Sequence, residues 1–378
     1  MSLDHYLRAR HFAQIGRYAD AETAAREGLA VSPGDARLLV LLASVLRLRR
    51  EYVVALTTAD AAVAADPNAA DAHAERAELL ILLIRSKDAV AAATLAVQLA
   101  PSDPSGHLVL ARALSAAGSF ASARDAAAHG LALDPNSVEA LLTVADVERD
   151  TGHREAASAA ARAALAIDPA NSYGRWLIAM LDAERLKVRR SMRGLRDVAR
   201  DNPARPDLIS MTWPIRGVLS GLRRGLAVAA VLVLITLGLG RLWTPATAFA
   251  HILAAVLVAA MAGFAARVLI PAGRLPWRCL PLLPTLMRRA NIGGLAAAGA
   301  GLALLAVFAA TGRWWPVVLA LVAALAMWAF SGVELLGAGL DDPGFRQAFR
   351  DLGGEFRQWW QTTKRDLRSA WRDTPGRR

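Results

Sequence analysis

Two hydropathy patterns divide the chain. Up to about residue 206, apolar positions come in short runs broken by polar turns at regular intervals. From 223 to 338 the chain is almost wholly apolar, with brief basic or Trp-Pro punctuation. Four stretches there carry no charge: Gly225–Gly240, Ala246–Ala266, Ala290–Gly312 and Trp314–Val333. A hydrocarbon core ~30 Å thick needs ~20 apolar helical residues. The last three stretches reach that length and the first nearly does. Four transmembrane helices are therefore predicted within 225–338, at about 225–244, 246–267, 290–312 and 314–337. The first is completed by Leu242 and Trp243, with Arg241 snorkelling outward. Four such runs lie close together with almost no polar face, which the solvent-facing helices of a soluble protein would need.

The first pattern is a repeat. Prolines stand at 33, 67, 101, 135, 169 and 203, a constant spacing of 34. An alanine precedes each at one fixed offset: Ala9, Ala43, Ala77, Ala111, Ala145 and Ala179. A second column, nearer the proline, runs Ala21, Ala55, Ala89, Ala123, Ala157 and Ser191. A third, one helical turn further on, runs Ala25, Ala59, Ala93, Ala127, Ala161 and Leu195. Several columns in one register predict a solenoid, each unit a pair of helices crossing closely at its small residues. Gly16, Gly118 and Gly152 mark a turn inside the unit. Asp66-Pro67, Asp134-Pro135 and Asp168-Pro169 end it, because proline cannot continue a helix but suits the first turn of the next segment.

These columns resemble the tetratricopeptide repeat (TPR) family, with six units over about residues 2 to 205. The chain departs from the family pattern near each repeat start, where His5, Leu39, His73, His107, Leu141 and Arg175 replace a large aromatic. The sixth unit is degenerate at Asp182, Ser191 and Leu195, as expected of a repeat that caps a stack. The resemblance implies binding of a protein or peptide on a concave face lined by the first helix of each repeat. The family's inner-face positions fall on Tyr6, Arg10, Arg37, Arg47, Glu78, Arg112, Glu139, Asp146, Arg149 and Trp176. Arg10, Arg37, Arg47 and Arg112 would then offer a patch for an anionic peptide, and Glu139 and Asp146 make the other side acidic. The Lys/Asn set with which some family members clamp a peptide carboxylate is absent.

Charge refines the division. Net charge is +11, which alone would suggest nucleic acid. Residues 1–206 hold 25 basic and 25 acidic residues, however, while 207–378 hold 19 and 8 and carry the whole excess. Arg189, Arg190, Arg193, Arg196 and Arg200 are placed to face anionic membrane lipids, and no nucleic-acid partner is expected. Basic residues alternate along the apolar block: Arg216, Arg223 and Arg224 before the first span, Arg267, Arg274, Arg278, Arg288 and Arg289 between the second and third, and nine Lys/Arg after the fourth. Each remaining connection has one, Arg241 or Arg313. By the positive-inside rule both termini are cytoplasmic. The sequence start has no apolar leader, and the excess of arginine over lysine fits a GC-rich bacterial genome, so a multi-pass protein of a bacterial inner membrane is expected. The inner loop from Leu275 is apolar but broken by proline, and is expected at the interface.

The expected organisation is all-α. It comprises a solenoid over 1–206, a basic juxtamembrane linker over 207–224, four transmembrane helices within 225–338 and a basic amphipathic tail over 339–378. In the tail Phe345, Phe349, Leu352, Phe356, Trp359, Leu367 and Trp371 recur at helical spacing among arginines, as in a helix lying on a membrane. The two hairpins look duplicated, Gly240-Arg-Leu-Trp-Thr-Pro245 matching Gly312-Arg-Trp-Trp-Pro316. Gly293, Gly294, Gly299 and Gly301 give the third span a small-residue face, for the internal bundle or for a homo-oligomer.

Chemistry is sparse. One cysteine, Cys279, leaves no internal disulfide and no CxxC site. The histidines have no metal-ligand spacing, and no nucleophile elbow, phosphate loop or dinucleotide fingerprint occurs. No catalytic residue, metal or cofactor is expected. The expectation is a membrane-anchored TPR adaptor. The alternative is a transporter or channel subunit with a regulatory array, in which His251 or Glu334 lines a path.

Overall fold

In the computed structural model, residues 2–201, 208–240 and 245–341 are described, and among them all regular structure is helical. The expected tail of 339–378 lies outside the described residues from 342 on, as does the turn at 241–244. Two compact units emerge, one built on Met1–Ile167 and the other comprising Asp168–Gly339.

The repeat period becomes helix pairs of constant size. They are α1 (Ser2–Gln14), α2 (Tyr18–Val31), α3 (Ala36–Leu48), α4 (Tyr52–Ala65), α5 (Ala70–Leu82), α6 (Ser86–Leu99), α7 (Pro104–Ala116), α8 (Phe120–Leu133), α9 (Val138–Asp150), α10 (Arg154–Ile167), α11 (Ser172–Glu184) and α12 (Val188–Asp201). Every first helix has 13 residues and every second helix 14. The alanine columns explain the close crossing: Ala9, Ala43, Ala77, Ala111 and Ala145, with Ala21, Ala55, Ala89, Ala123 and Ala157, are fully buried. Asp35, Asp103, Ser137 and Asn171 cap first helices by accepting from backbone N–H groups of the first turn. The turn inside each unit holds a left-handed residue at the same register in all six, Gly16, Arg50, Ile84, Gly118, Gly152 and Leu186.

Histidine takes over at the missing aromatic. His73 Nε2 lies 2.9 Å from the Pro67 carbonyl, and His107 Nε2 stands at the same distance from that of Pro101. Each thus joins the helix start to the turn that precedes it. In the first unit, first helices also touch the first helix of the next pair, while second helices make no comparable mutual contact among the described residues. First helices therefore line the shorter, inner side of this array.

The second unit begins with α11 and α12 and continues through α13 (Leu208–Met211), α14 (Trp213–Gly240), α15 (Pro245–Ala272), α16 (Leu275–Cys279), a 3-10 turn at Leu280–Leu282, α17 (Thr285–Thr311) and α18 (Trp315–Asp341). Among the described residues, four helices are long and apolar enough to cross a membrane, at Trp213–Leu239, Ala248–Ala272, Thr285–Thr311 and Trp315–Gly337. The stretch 208–224, expected as a linker, is largely helical, and the first long helix starts at Trp213 rather than near 225. Arg216 and Arg223 thus belong to that helix, two turns apart on one face.

Glycines set the helix spacing. A side chain at Gly221 would collide with Phe264, one at Gly301 with Leu226, and one at Gly293 with Phe330. Gly293, Gly294 and Gly301 therefore serve contacts inside the chain, whereas Gly299 has nothing within 4 Å. Gly312 ends α17 in the left-handed conformation, its N–H donating to the Phe308 carbonyl. The core of this unit contains Val188, Met192 and Leu195 of the sixth pair together with Leu226, Ala254, Leu305 and Ala324 of the long helices.

Candidate functional site

The inner face of the array is closed by ion pairs that cross from one repeat to the next. Arg47 on α3 grips Glu75 on α5 with both arms, Nε to Oε1 at 2.7 Å and Nη2 to Oε2 at 3.1 Å. Arg112 on α7 donates from Nε to Glu78 Oε1 at 2.9 Å, and reaches forward to Glu139 Oε1 at 3.3 Å and Thr143 Oγ1 at 3.1 Å on α9. Glu75 is buried, and burial pushes its carboxyl above the ordinary glutamate range, with the Arg47 hydrogen bond only partly opposing it. Burial would lower the guanidinium of Arg47, but Glu75 outweighs that and holds it above its usual value.

Residues expected in the groove thus separate. Arg47, Glu78, Arg112 and Glu139 come together in this ladder. Asp146 and Arg149 are half-buried on α9 and have partners too. Arg10 on α1 and Arg37 in the first turn of α3 are exposed, and Tyr6 is half-buried beside exposed Leu3 and Leu7. Arg37 faces a cleft of about 900 Å³ that also takes in Asp35, Asp66 and Asp71. Within the expected anionic-peptide patch, glutamates therefore engage Arg47 and Arg112, while Arg10 and Arg37 stay exposed. Glu75 escaped the sequence reading. Its signal was the column Leu7, Leu41, Glu75, Val109, Thr143, Leu177, where an acid interrupts largely apolar positions.

Trp176 belongs to the second unit and plays a different part. It stacks on Tyr173 at 5.5 Å, and its Nε1 donates to Ser210 Oγ at 3.1 Å. Trp213 Nε1 donates to the fully buried Ser191 Oγ at 3.0 Å. Two tryptophan–serine bonds thus tie the sixth helix pair to the start of the long helices. Around this pair lies a basic cleft of about 500 Å³, walled by Lys187, Arg189, Arg190 and Arg267.

Polar groups inside the long helices are few. His251 Nδ1 lies 3.1 Å from the Ala309 carbonyl and its ring leans on Phe308, joining α15 to α17. Glu334 accepts from Arg216 Nε and from Asn291 Nδ2, the latter at 3.3 Å. Cys279 is buried against the Met211 sulfur at 3.7 Å, and burial raises its thiol. Among the described residues no group of three His, Cys, Asp or Glu is placed to hold a metal ion.

Residues 6–70 match the family described as Tetratricopeptide repeat. Within the helix-pair array the TPR resemblance is thus matched over the first two pairs, and among the described residues four candidate membrane-spanning helices follow the array. No curated protein matches the chain. Among solved structures it is similar to TTC0263, a TPR protein of Thermus thermophilus, at 20% identity and TM-score 0.45, covering 48% of this chain and 98% of that one. It is similar to pilF of Pseudomonas aeruginosa at 18% identity and TM-score 0.42, covering 54% and 93%. A third, YrrB, is a TPR protein with an unusual peptide-binding site, at 18% identity and TM-score 0.33, covering 48% and 93%.

Proposed function

We propose that this protein is a membrane-anchored adaptor. Its array recruits a protein or peptide to the cytoplasmic face of a bacterial inner membrane, and the four long helices hold it there. The observation that carries this reading is the inner face itself. From α3 to α9 its charges are largely spent on neighbouring repeats, whereas α1 keeps Leu3, Leu7 and Arg10 exposed. The open end of the groove is thus apolar with an exposed cation, suited to a segment that brings apolar side chains and an acid. Arg189, Arg190, Arg193, Arg196 and Arg200 on α12 complement anionic lipids, with both termini inside.

Affinity purification of the full-length protein from native membranes tests this. A recurrent partner should be retained by wild type and by Arg149→Gln, and lost from Leu7→Glu with Arg10→Glu. Equal recovery in all three sinks the groove reading. A transport role keeps one supporting observation, a cavity beside Glu334. Flux in proteoliposomes that survives Glu334→Gln removes it.

A further inference from the structure

A cavity of about 180 Å³ opens between α14, α17 and α18, and its chemistry is unlike that of the surrounding helices. Arg216, Ser220 and Arg223 reach it from α14, and Phe330, Ser331 and Glu334 from α18. The two arginines differ. Arg216 is neutralised by Glu334, which Asn291 also holds. Arg223 lies over the Trp328 ring, 4.1 Å from its centroid, and its Nε is sealed from solvent with no hydrogen-bond partner among the described residues. A cation in an apolar bundle is costly unless paired. Trp328 supplies a ring face, not an acceptor for that N–H.

The charge balance defines what is missing. Arg216 and Glu334 cancel, so the cavity carries one net positive charge at Arg223. Hydroxyls of Ser220 and Ser331 add donors from two helices. The volume far exceeds the roughly 10–15 Å³ needed for one water. Leu335, also on the lining, is 68% exposed on the outer surface and gives the cavity an apolar side. A singly charged, multi-acceptor group on an apolar stem satisfies all of these. We propose that the cavity binds the phosphodiester of an anionic membrane phospholipid, Arg223 taking the charge and the acyl chains lying outside along Phe330 and Leu335. This rests on the reading of the four helices as membrane-spanning. The Arg189/Arg190 cleft is a separate surface, formed by other helices.

Native mass spectrometry of the full-length protein in non-ionic detergent, supplied with phosphatidylglycerol or phosphatidylcholine, tests the assignment. Wild type should retain one phosphatidylglycerol in preference to phosphatidylcholine. Arg223→Gln should lower that retention about tenfold, the effect of one charge-assisted hydrogen bond. Arg223→Lys should restore part of it, which a folding defect would not, and Arg162→Gln, on the exposed side of α10, should leave it unchanged. Equal retention in wild type and Arg223→Gln overturns the proposal. Displacement of the lipid by millimolar inorganic phosphate assigns the cavity to a soluble anion and overturns the lipid assignment. Release of the protein from native membranes by alkaline carbonate sinks the membrane reading itself, and is scored separately from lipid retention.

Discussion

Helices α2 and α12 occupy the same place in the period, have the same length and bury different things. On α2 the inward positions are Ala21, Ala24 and Ala25, and they lie against neighbouring helices of the array. On α12 they are Val188, Ser191, Met192 and Leu195, which share a core with the long apolar helices. The repeat period fixes where a helix starts and stops. The side chains in its columns fix what the helix can cover. Alanine permits only a close neighbour of the same kind, while leucine and methionine fill the wider gap beside a long helix. The sixth pair is a repeat by period and part of the helix block by packing.

The largest effect separating the two regions should come from Glu75. Glu75→Ala leaves Arg47 without its bidentate partner. Breaking a sealed ion pair costs about 3–5 kcal/mol, and partial exposure of Arg47 brings the expected loss to about 2–3 kcal/mol. Amide hydrogen exchange in the full-length protein should quicken across α3 and α5 and stay unchanged in α14. Equal quickening in both regions breaks the distinction between two cores. Glu75→Gln sharpens it through pH. Because the native carboxyl sits above its unfolded value, the native state binds the extra proton between those two values. Stability therefore falls as pH rises through that window, and the glutamine variant should lose this dependence.

The sixth pair should respond at Ser191 instead. Ser191→Ala removes the acceptor of the half-buried Trp213 indole N–H, for about 1–2 kcal/mol. The reverse change in the array, Ala157→Ser, should cost less, since a helical serine can bond back to its own preceding turn. Tryptophan fluorescence of the full-length protein should shift for Ser191→Ala and not for Ala157→Ser. A shift of the same size in both removes Ser191 from its special place.

Much of this was legible in advance. Columns of alanine and proline announced the helix pairs, and runs without charge announced the four long helices. Gly312 and Pro316 marked the turn between the last two. Ser191 and Leu195 stood out as breaks in their columns, but a break says only that the neighbour has changed. That the neighbour is Trp213, at the start of a later helix, depends on a placement that local pattern cannot give. The pairing of the inner-face charges escapes the sequence for a similar reason. Arg112 and Glu78 are one period apart, so each repeat presents a charge whose partner is the next repeat rather than a ligand. Arg216 and Arg223 looked like loop charges because counting along the chain ignores which side of a helix they occupy.

The smallest effect concerns the turn inside each repeat. Ile84 holds a left-handed backbone, φ 61°, at the register where Gly16, Gly118 and Gly152 hold theirs. A left-handed L-residue costs roughly 1–2 kcal/mol, and a branched side chain is the worst case. Ile84 is 55% exposed, so its removal gives up little burial. Glycine returns about 0.5–1 kcal/mol of that gain as unfolded-chain entropy. Ile84→Gly should therefore stabilise the α5–α6 pair by about 0.5–1 kcal/mol, seen as slower amide exchange there. Leu186→Gly, at the same register in the sixth pair, should slow exchange in α11 and α12 and leave α5 and α6 alone. If either substitution moves both regions together, period rather than packing governs cooperativity, and the contrast between α2 and α12 loses its meaning.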